Sequence, residues 1–497
     1  MDPKPFSIPT SRRQFIRQAA CAAVGTAALT AAIRDLRFMN AAVAQTNIND
    51  YKALVCIFLA GGNDSNNLII PTIQAEYDNY AAIRTPVLAI PISGTAYNAI
   101  PISPANSDGH SYALHPACPE LANLFALGKL AVLFNAGTLV FPMTRAQYQA
   151  GILTKPPQLF SHADQVTQWQ TSVPDQQPLT GWGGRCADLL ASVQPGAPIS
   201  LSVTLGGANT FEVGNIVTQY SVSTSGAISL NLPGSGTAAF TNRQAALTNI
   251  LGLNYPNMQA QAYASVAKHS INTGDLLNGA IGATADPQGG SFWTTPFPGN
   301  ITTPTSGGTF GSSLGQQLKM IARLIEAGHR TLALGGFGMK RQIFFCQVGG
   351  YDLHTGQTPG PGSTTVGAHA NLLAELSQCM NAFQNAMVQL NLEGSVTTFT
   401  ASDFGRTFPS NGQGSDHGWG SHHLVMGGAV NGRKTYGAFP TLTINGPDDT
   451  STGRWIPTTA IDQYFATLAT WFGVDGGNLA TVFPNLGRFA TPNLGFV

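Results

Sequence analysis

An α/β sandwich built on a mostly parallel sheet is the fold class this sequence predicts, and two observations predict it. Four short apolar runs rich in β-branched and aromatic residues read as strands buried on both faces: Ala53 to Ala60, Leu130 to Asn135, Ile343 to Val348 and Val396 to Thr400. Helical patterns lie between them. Leu314, Leu318, Ile321, Leu324 and Ile325 share one helical face before Gly328, and Leu372 to Leu390 behaves in the same way. Strands alternating with amphipathic helices make layered α/β structure the expectation.

The elements follow in chain order. Ser11-Arg12-Arg13-Gln14-Phe15-Ile16-Arg17 has the pattern of a twin-arginine (Tat) export signal. A weakly apolar run from Ala19 to Ile33 and the small-residue box Ala42-Val43-Ala44 follow in the order such a signal requires. Residues 1–44 are therefore expected to be a leader, read by the Tat translocase and cleaved after Ala44. The mature chain, 45–497, is expected in the periplasm or outside the cell. No run approaches the roughly 20 strongly apolar residues of a bilayer span, so no stable membrane anchor is expected.

From Pro198 to Thr237 the texture changes to alternating runs punctuated by Gly and Ser, which predicts a β-rich insertion near 198–240. Gly- and Pro-rich stretches at 286–311 and 355–367 read as long surface loops. Thr458 to Phe472 reads as an amphipathic helix packed on the core. With no internal repeat, the mature chain reads as one large domain.

Composition narrows the function. Only 10% of residues are charged, and removing the leader's six basic and two acidic residues from 24 of each leaves 18 against 22, a net charge near −4. Nucleic acid is excluded as an expected partner. Cys56, Cys118, Cys186, Cys346 and Cys379 remain after the leader, an odd number with no C-x-x-C pair, and buried free thiols are the expectation.

Three predicted strands run into aspartates: Asp64 after LVCIFLAGGN, Asp352 after IFFCQVGGY, and Asp403 after VTTFTAS. In an open α/β sheet, ligands gather beyond the carboxyl ends of the strands, so these acids are expected to face one crevice. One such Asp alone reads as a turn former or helix cap. The histidines change the reading. Of ten, His354, His369, His417, His422 and His423 fall late in the chain. Asp352 and His354 are two apart and share a side of an extended chain, Asp416 adjoins His417 in a Gly-rich loop, and His422-His423 opens LVMGGAV. Carboxylates with neutral imidazoles and no thiolate suit a divalent metal that leaves room for substrate. Zinc, manganese, iron and calcium are not distinguished.

The leader, GGND, LHPACPELANLF, GGYDLH, SDFGRT, SDHGWGSHH and the final TTAIDQYFATLATWFGV together resemble a large family of Tat-exported bacterial proteins known only as a domain of unknown function. That family is assigned to the alkaline phosphatase-like superfamily. The resemblance implies a three-layer α/β/α sandwich and two metal ions about 4 Å apart. One would be held by Asp352, His354 and either His422 or His423, the other by Asp64, Asp416 and His417, with Asp403 as a further or outer ligand. It also implies a Ser or Thr nucleophile at a helix start. Ser161, in LFSHADQ, is the first candidate and Ser65 the second; Ser161 is equally a helix cap and Asp64-Ser65 equally a turn. Arg406 is a candidate fork for a phosphate or sulfate oxygen, or else the partner of an Asp. His162 can assist there.

Gly311-Ser312-Ser313-Leu314-Gly315 satisfies G-x-S-x-G, but TTPTSGGTF before it reads as a loop and not as the strand that motif needs, and Ser312 or Ser313 reads as a helix cap. The expected function is metal-dependent hydrolysis of a phosphate or sulfate ester, in a small molecule or a polymer. The alternative is an exported binding or structural protein that keeps the fold without catalysis.

Overall fold

The computed structural model describes residues 48–227, 236–282, 297 and 299–497. The expected leader lies outside them. A mixed ten-stranded sheet forms the centre. From one edge its order is Thr435–Tyr436, Leu130–Gly137, Ser421–Gly427, Val396–Ser402, Lys52–Leu59, Arg341–Val348, Ser202–Thr204, Tyr220–Ser223 and Gly226–Ala227. Thr459–Ala460 pairs beside the first of these, also on Leu130–Gly137.

Lys52–Leu59 is the middle strand, apolar and buried from Ala53 onward because both its faces are covered. It runs parallel to both neighbours in a register that sets Leu59 beside Val348 on one side and Ser402 on the other. Three strands thus end level with one another, and whatever follows them in sequence emerges along one short edge.

Helices cover both faces. Pro119–Ala126, Ser313–His329 and Ala368–Gln389 pack together on one; His162–Thr171, Trp182–Leu190 and Ile461–Phe472 form the other layer. The second layer is held by aromatics. Trp182 stacks on Phe465 with ring centroids 4.5 Å apart and meets Phe211 at 4.8 Å, above Phe399 of the sheet. Ser312 caps the helix Ser313–His329 by accepting the Gly315 N–H at 2.8 Å, and it donates to the Glu375 carboxylate at 2.7 Å. The residues before it, expected as loop, form a short strand, Thr309–Gly311, which pairs with Asn300–Thr302 in a separate two-stranded ribbon and not with the main sheet. The five described cysteines are buried and free.

The structure departs from the sequence expectation in three places. The sheet is mixed, because Ser421–Gly427 inserts antiparallel between Val396–Ser402 and Leu130–Gly137; the paired histidines at its start hide a strand that is buried along its whole length. The segment expected as a β-rich excursion extends the main sheet by three strands before residues 228–235, which lie outside the description, and continues as the helices Ala238–Leu251 and Met258–Gly282. The stretch 355–367 is not a plain surface loop, since Gln357 is fully buried and Thr364 donates to the Ala89 carbonyl at 2.8 Å. Among the described residues, no helix is long and apolar enough to cross a membrane.

Asp462, in the first turn of Ile461–Phe472, is fully buried, and its carboxylate has no hydrogen-bond partner outside its own residue. Burial pushes its carboxyl up to about 8, against weaker pulls from its backbone and Arg185. A folded pKa above the unfolded one gives stability that is full below the ordinary aspartate range and is lost as pH rises toward 8. Asp462→Asn should therefore flatten the fall in Tm between pH 5 and 8 and raise Tm at pH 8 by at least about 2 °C. Thermal melts across that range check it; an unchanged slope contradicts it.

Candidate functional site

The level strand ends deliver the acids. Beyond Arg341–Val348 the chain turns through Gly349-Gly350 to Asp352 and His354; Val396–Ser402 runs straight into Asp403; and Lys52–Leu59 leads to Gly61. Gly61 has φ +116°, and a Cβ there would lie 2.4 Å from the Asp352 backbone nitrogen. Only glycine lets the first strand end this close to the second. A fourth element, the start of the helix His162–Thr171, brings in His162, and the loop after Arg406 returns Asp416 and His417.

Three imidazoles meet around one carboxylate. The Nε2 of His417 lies 3.1 Å from Nε2 of His162 and 2.9 Å from Nε2 of His354. Asp352 approaches all three, at 3.5 Å from His162, 3.2 Å from His354 and 3.4 Å from His417. His162, Asp352 and His417 each offer a donor atom within 4.8 Å of the others.

Each ring is fixed from behind. His162 Nδ1 faces Asp403 Oδ2 at 2.6 Å, His354 Nδ1 faces Asp416 Oδ1 at 2.8 Å, and His417 Nδ1 faces the Phe160 carbonyl at 2.7 Å. Every Nδ1 faces an oxygen acceptor, and in the Nδ1–H tautomer that these contacts select each Nε2 presents a lone pair inward. Burial lowers the His417 pKa, against the Phe160 bond, which keeps that ring neutral. The Phe404 ring packs between His162 and His417, at 4.7 and 4.6 Å.

Two buried guanidiniums pair with acids that follow the strands. Arg406 donates to Asp352 Oδ1 at 2.8 Å, to the Gly61 carbonyl at 3.2 Å and to the Ser415 carbonyl at 2.5 Å. Burial pushes the Asp352 carboxyl up, but its hydrogen bond and charge pairing with Arg406 outweigh burial and hold it below the usual carboxylate range. Arg84 pairs with Asp64 Oδ2, which also receives Gln357. There too Arg84 and His369 outweigh burial and keep Asp64 ionised.

A family model described as a protein of unknown function, DUF1501, matches residues 51–460. The chain belongs to that family. The match contains every residue of the cluster, from His162 to His417. Among curated proteins no match is found.

In this DUF1501 chain Asp352, His354, Asp403, Arg406, Asp416 and His417 come together, and His162 enters as a full member of the cluster. Asp64, Ser65, His422, His423, Ser161 and His369 do not join it. Asp64 is turned away into its pair with Arg84. Ser65 is buried, its hydroxyl accepting the His422 N–H at 2.9 Å. His422 and His423 point to opposite faces of the strand Ser421–Gly427, one toward Phe134 and Phe439, the other toward Trp169. Burial lowers the pKa of each to about 3, so both are neutral core residues. Ser161 occupies the cap position before His162 and donates to Asp164 at 2.6 Å. His369 is buried against Asn63 at 3.1 Å.

Proposed function

We propose that this protein is exported by the Tat pathway and hydrolyses phosphate or sulfate esters with a divalent metal ion held by His162, His354, His417 and Asp352. The observation that carries the reading is the convergence of three Nε2 nitrogens and a carboxylate at 2.9–3.5 Å. Such groups repel one another unless a cation lies among them. Donors about 2.1 Å from one ion stand about 3.0–3.4 Å apart, which is the spacing here. Carboxylates and a carbonyl behind the imidazoles are the outer partners that metal-binding histidines use to fix their tautomer.

The cluster suits one ion better than two. The positive charge that a second ion would bring to Asp64 comes instead from Arg84. An alkaline phosphatase-like fold belongs to the same reading, supported by three acids following level strands and by the Asp-x-His and Asp-His order. A divalent ion would polarise a phosphoryl or sulfuryl oxygen of the ester. Around it, Asp403 and Asp416 face the Nδ1 atoms of His162 and His354 and fix the orientation of the rings, Arg406 holds Asp352 ionised, and Ser161 lies one residue from His162. The part-exposed side of the cluster, Asp352, His354 and Asp416, leaves an approach for substrate.

One observation favours a non-catalytic alternative: the Ser161 hydroxyl is given to Asp164 rather than to the cluster. Turnover decides between them. Metal-replete mature protein should hydrolyse an aryl phosphate or sulfate and lose that activity to a chelator. Asp403→Asn should weaken metal affinity about 10–100-fold, and Ser161→Ala should keep the metal; activity lost with it assigns attack to Ser161, and activity retained assigns attack to water. Protein that takes up no metal and turns over neither ester sinks the proposal. For export, replacing Arg12 and Arg13 with lysine should hold the precursor in the cytoplasm, and unchanged periplasmic accumulation would count against the Tat route.

A further inference from the structure

Arg406, the arginine that the sequence offers for an anionic substrate, is buried and turned onto the protein. Its Nη1 and Nη2 donate to Asp352, Gly61 and Ser415, and its Nε, which has no partner, is buried as well and out of reach of a substrate. A cluster that also contains Asp403 and Asp416 repels a phosphate or sulfate group unless another cation stands at its rim.

Arg454 stands there. Its Nε donates to the carbonyl of His417 at 2.8 Å, and its guanidinium carbon lies 4.1 Å over the Phe160 ring. Both contacts belong to the cluster, because the Phe160 carbonyl is the acceptor that fixes the His417 ring. No hydrogen bond or ion pair occupies Nη1 or Nη2 among the described residues, and the side chain is only partly buried. Those two nitrogens form the planar fork that matches two oxygens of a phosphate or sulfate.

The surroundings hold this fork in place. Phe160 has φ +73°, a left-handed conformation that costs a bulky non-glycine residue energy. It sets the Phe160 carbonyl on His417 while the ring lies beneath Arg454. Behind Arg454, the buried Asp449 carboxylate accepts the backbone N–H groups of Ser451, Gly453 and Arg454 at 3.1, 2.7 and 3.1 Å. The turn is thereby rigid, and little side-chain freedom remains to be lost on binding.

We propose that Arg454 is the substrate-binding residue of this site, receiving the anionic phosphate or sulfate group of the ester beside the metal cluster. The inference rests on the hydrolase reading above for the identity of the substrate, though not for the existence of the anion site. Titrating metal-loaded mature protein with inorganic phosphate and with inorganic sulfate, by calorimetry, tests it. Arg454→Gln should weaken the tighter of the two anions at least ten-fold while leaving metal content and Tm unchanged, and Arg454→Lys should restore part of the loss. An unchanged Kd in Arg454→Gln overturns the inference. So does the absence of binding of either anion to the wild type. Loss of metal from Arg454→Gln would show a merely supporting role for His417, and would overturn it as well. Anion binding that depends on Arg454 in a protein that hydrolyses neither ester would keep the anion site and remove the hydrolase reading.

Discussion

The Asp403 carboxylate ties the site together. Its Oδ1 accepts the Gly61 N–H at 3.0 Å and its Oδ2 meets His162 Nδ1 at 2.6 Å, with the side chain almost fully buried. One side chain at the end of Val396–Ser402 thus joins the end of the first strand to the start of a helix from the opposite layer. Without it, His162 has no reason to face the cluster and Gly61 has an unmet N–H. The level register of the three central strands brings these groups within reach, and the bare Cα of Gly61 lets Asp352 close the remaining gap.

Charge balance explains the rest of the arrangement. Asp64 and Asp352 each follow a central strand, and each has its own buried guanidinium, Arg84 and Arg406. The Asp64–Arg84 pair, buried on both sides, is costly to break, since either partner alone would be an uncompensated charge in the interior. The two arginines hold different fates for their acids. Asp64 is sealed behind Arg84 and Gln357, whereas Asp352 keeps a half-exposed carboxylate facing three imidazoles.

Much of this was legible in the sequence, for reasons particular to each residue. The strands ending at Leu59, Val348 and Ser402 were visible because strands covered on both faces carry short runs of apolar and β-branched residues, and Asp352, His354, Asp403, Asp416 and His417 stood out by following them or by short spacing. The strand Ser421–Gly427 was not visible, because two histidines neutralised by burial look polar in sequence. His162 was undervalued because its partners, Asp403 and His417, are more than 240 residues away in the chain. The fate of Asp64 depends on Arg84, whose approach across the end of its helix no local pattern announces. The left-handed backbone of Phe160, which aims both His417 and Arg454, has no sequence signature at all.

The claim on which the whole account stands is that three imidazoles and one carboxylate surround a single ion, and X-ray absorption at the edge of the bound metal in mature protein tests it most directly. The account predicts three imidazole nitrogens and one oxygen from the protein at about 2.0–2.2 Å, with one imidazole lost in His162→Ala. A spectrum without imidazole scattering, or protein that retains no metal after saturation and desalting, would contradict it.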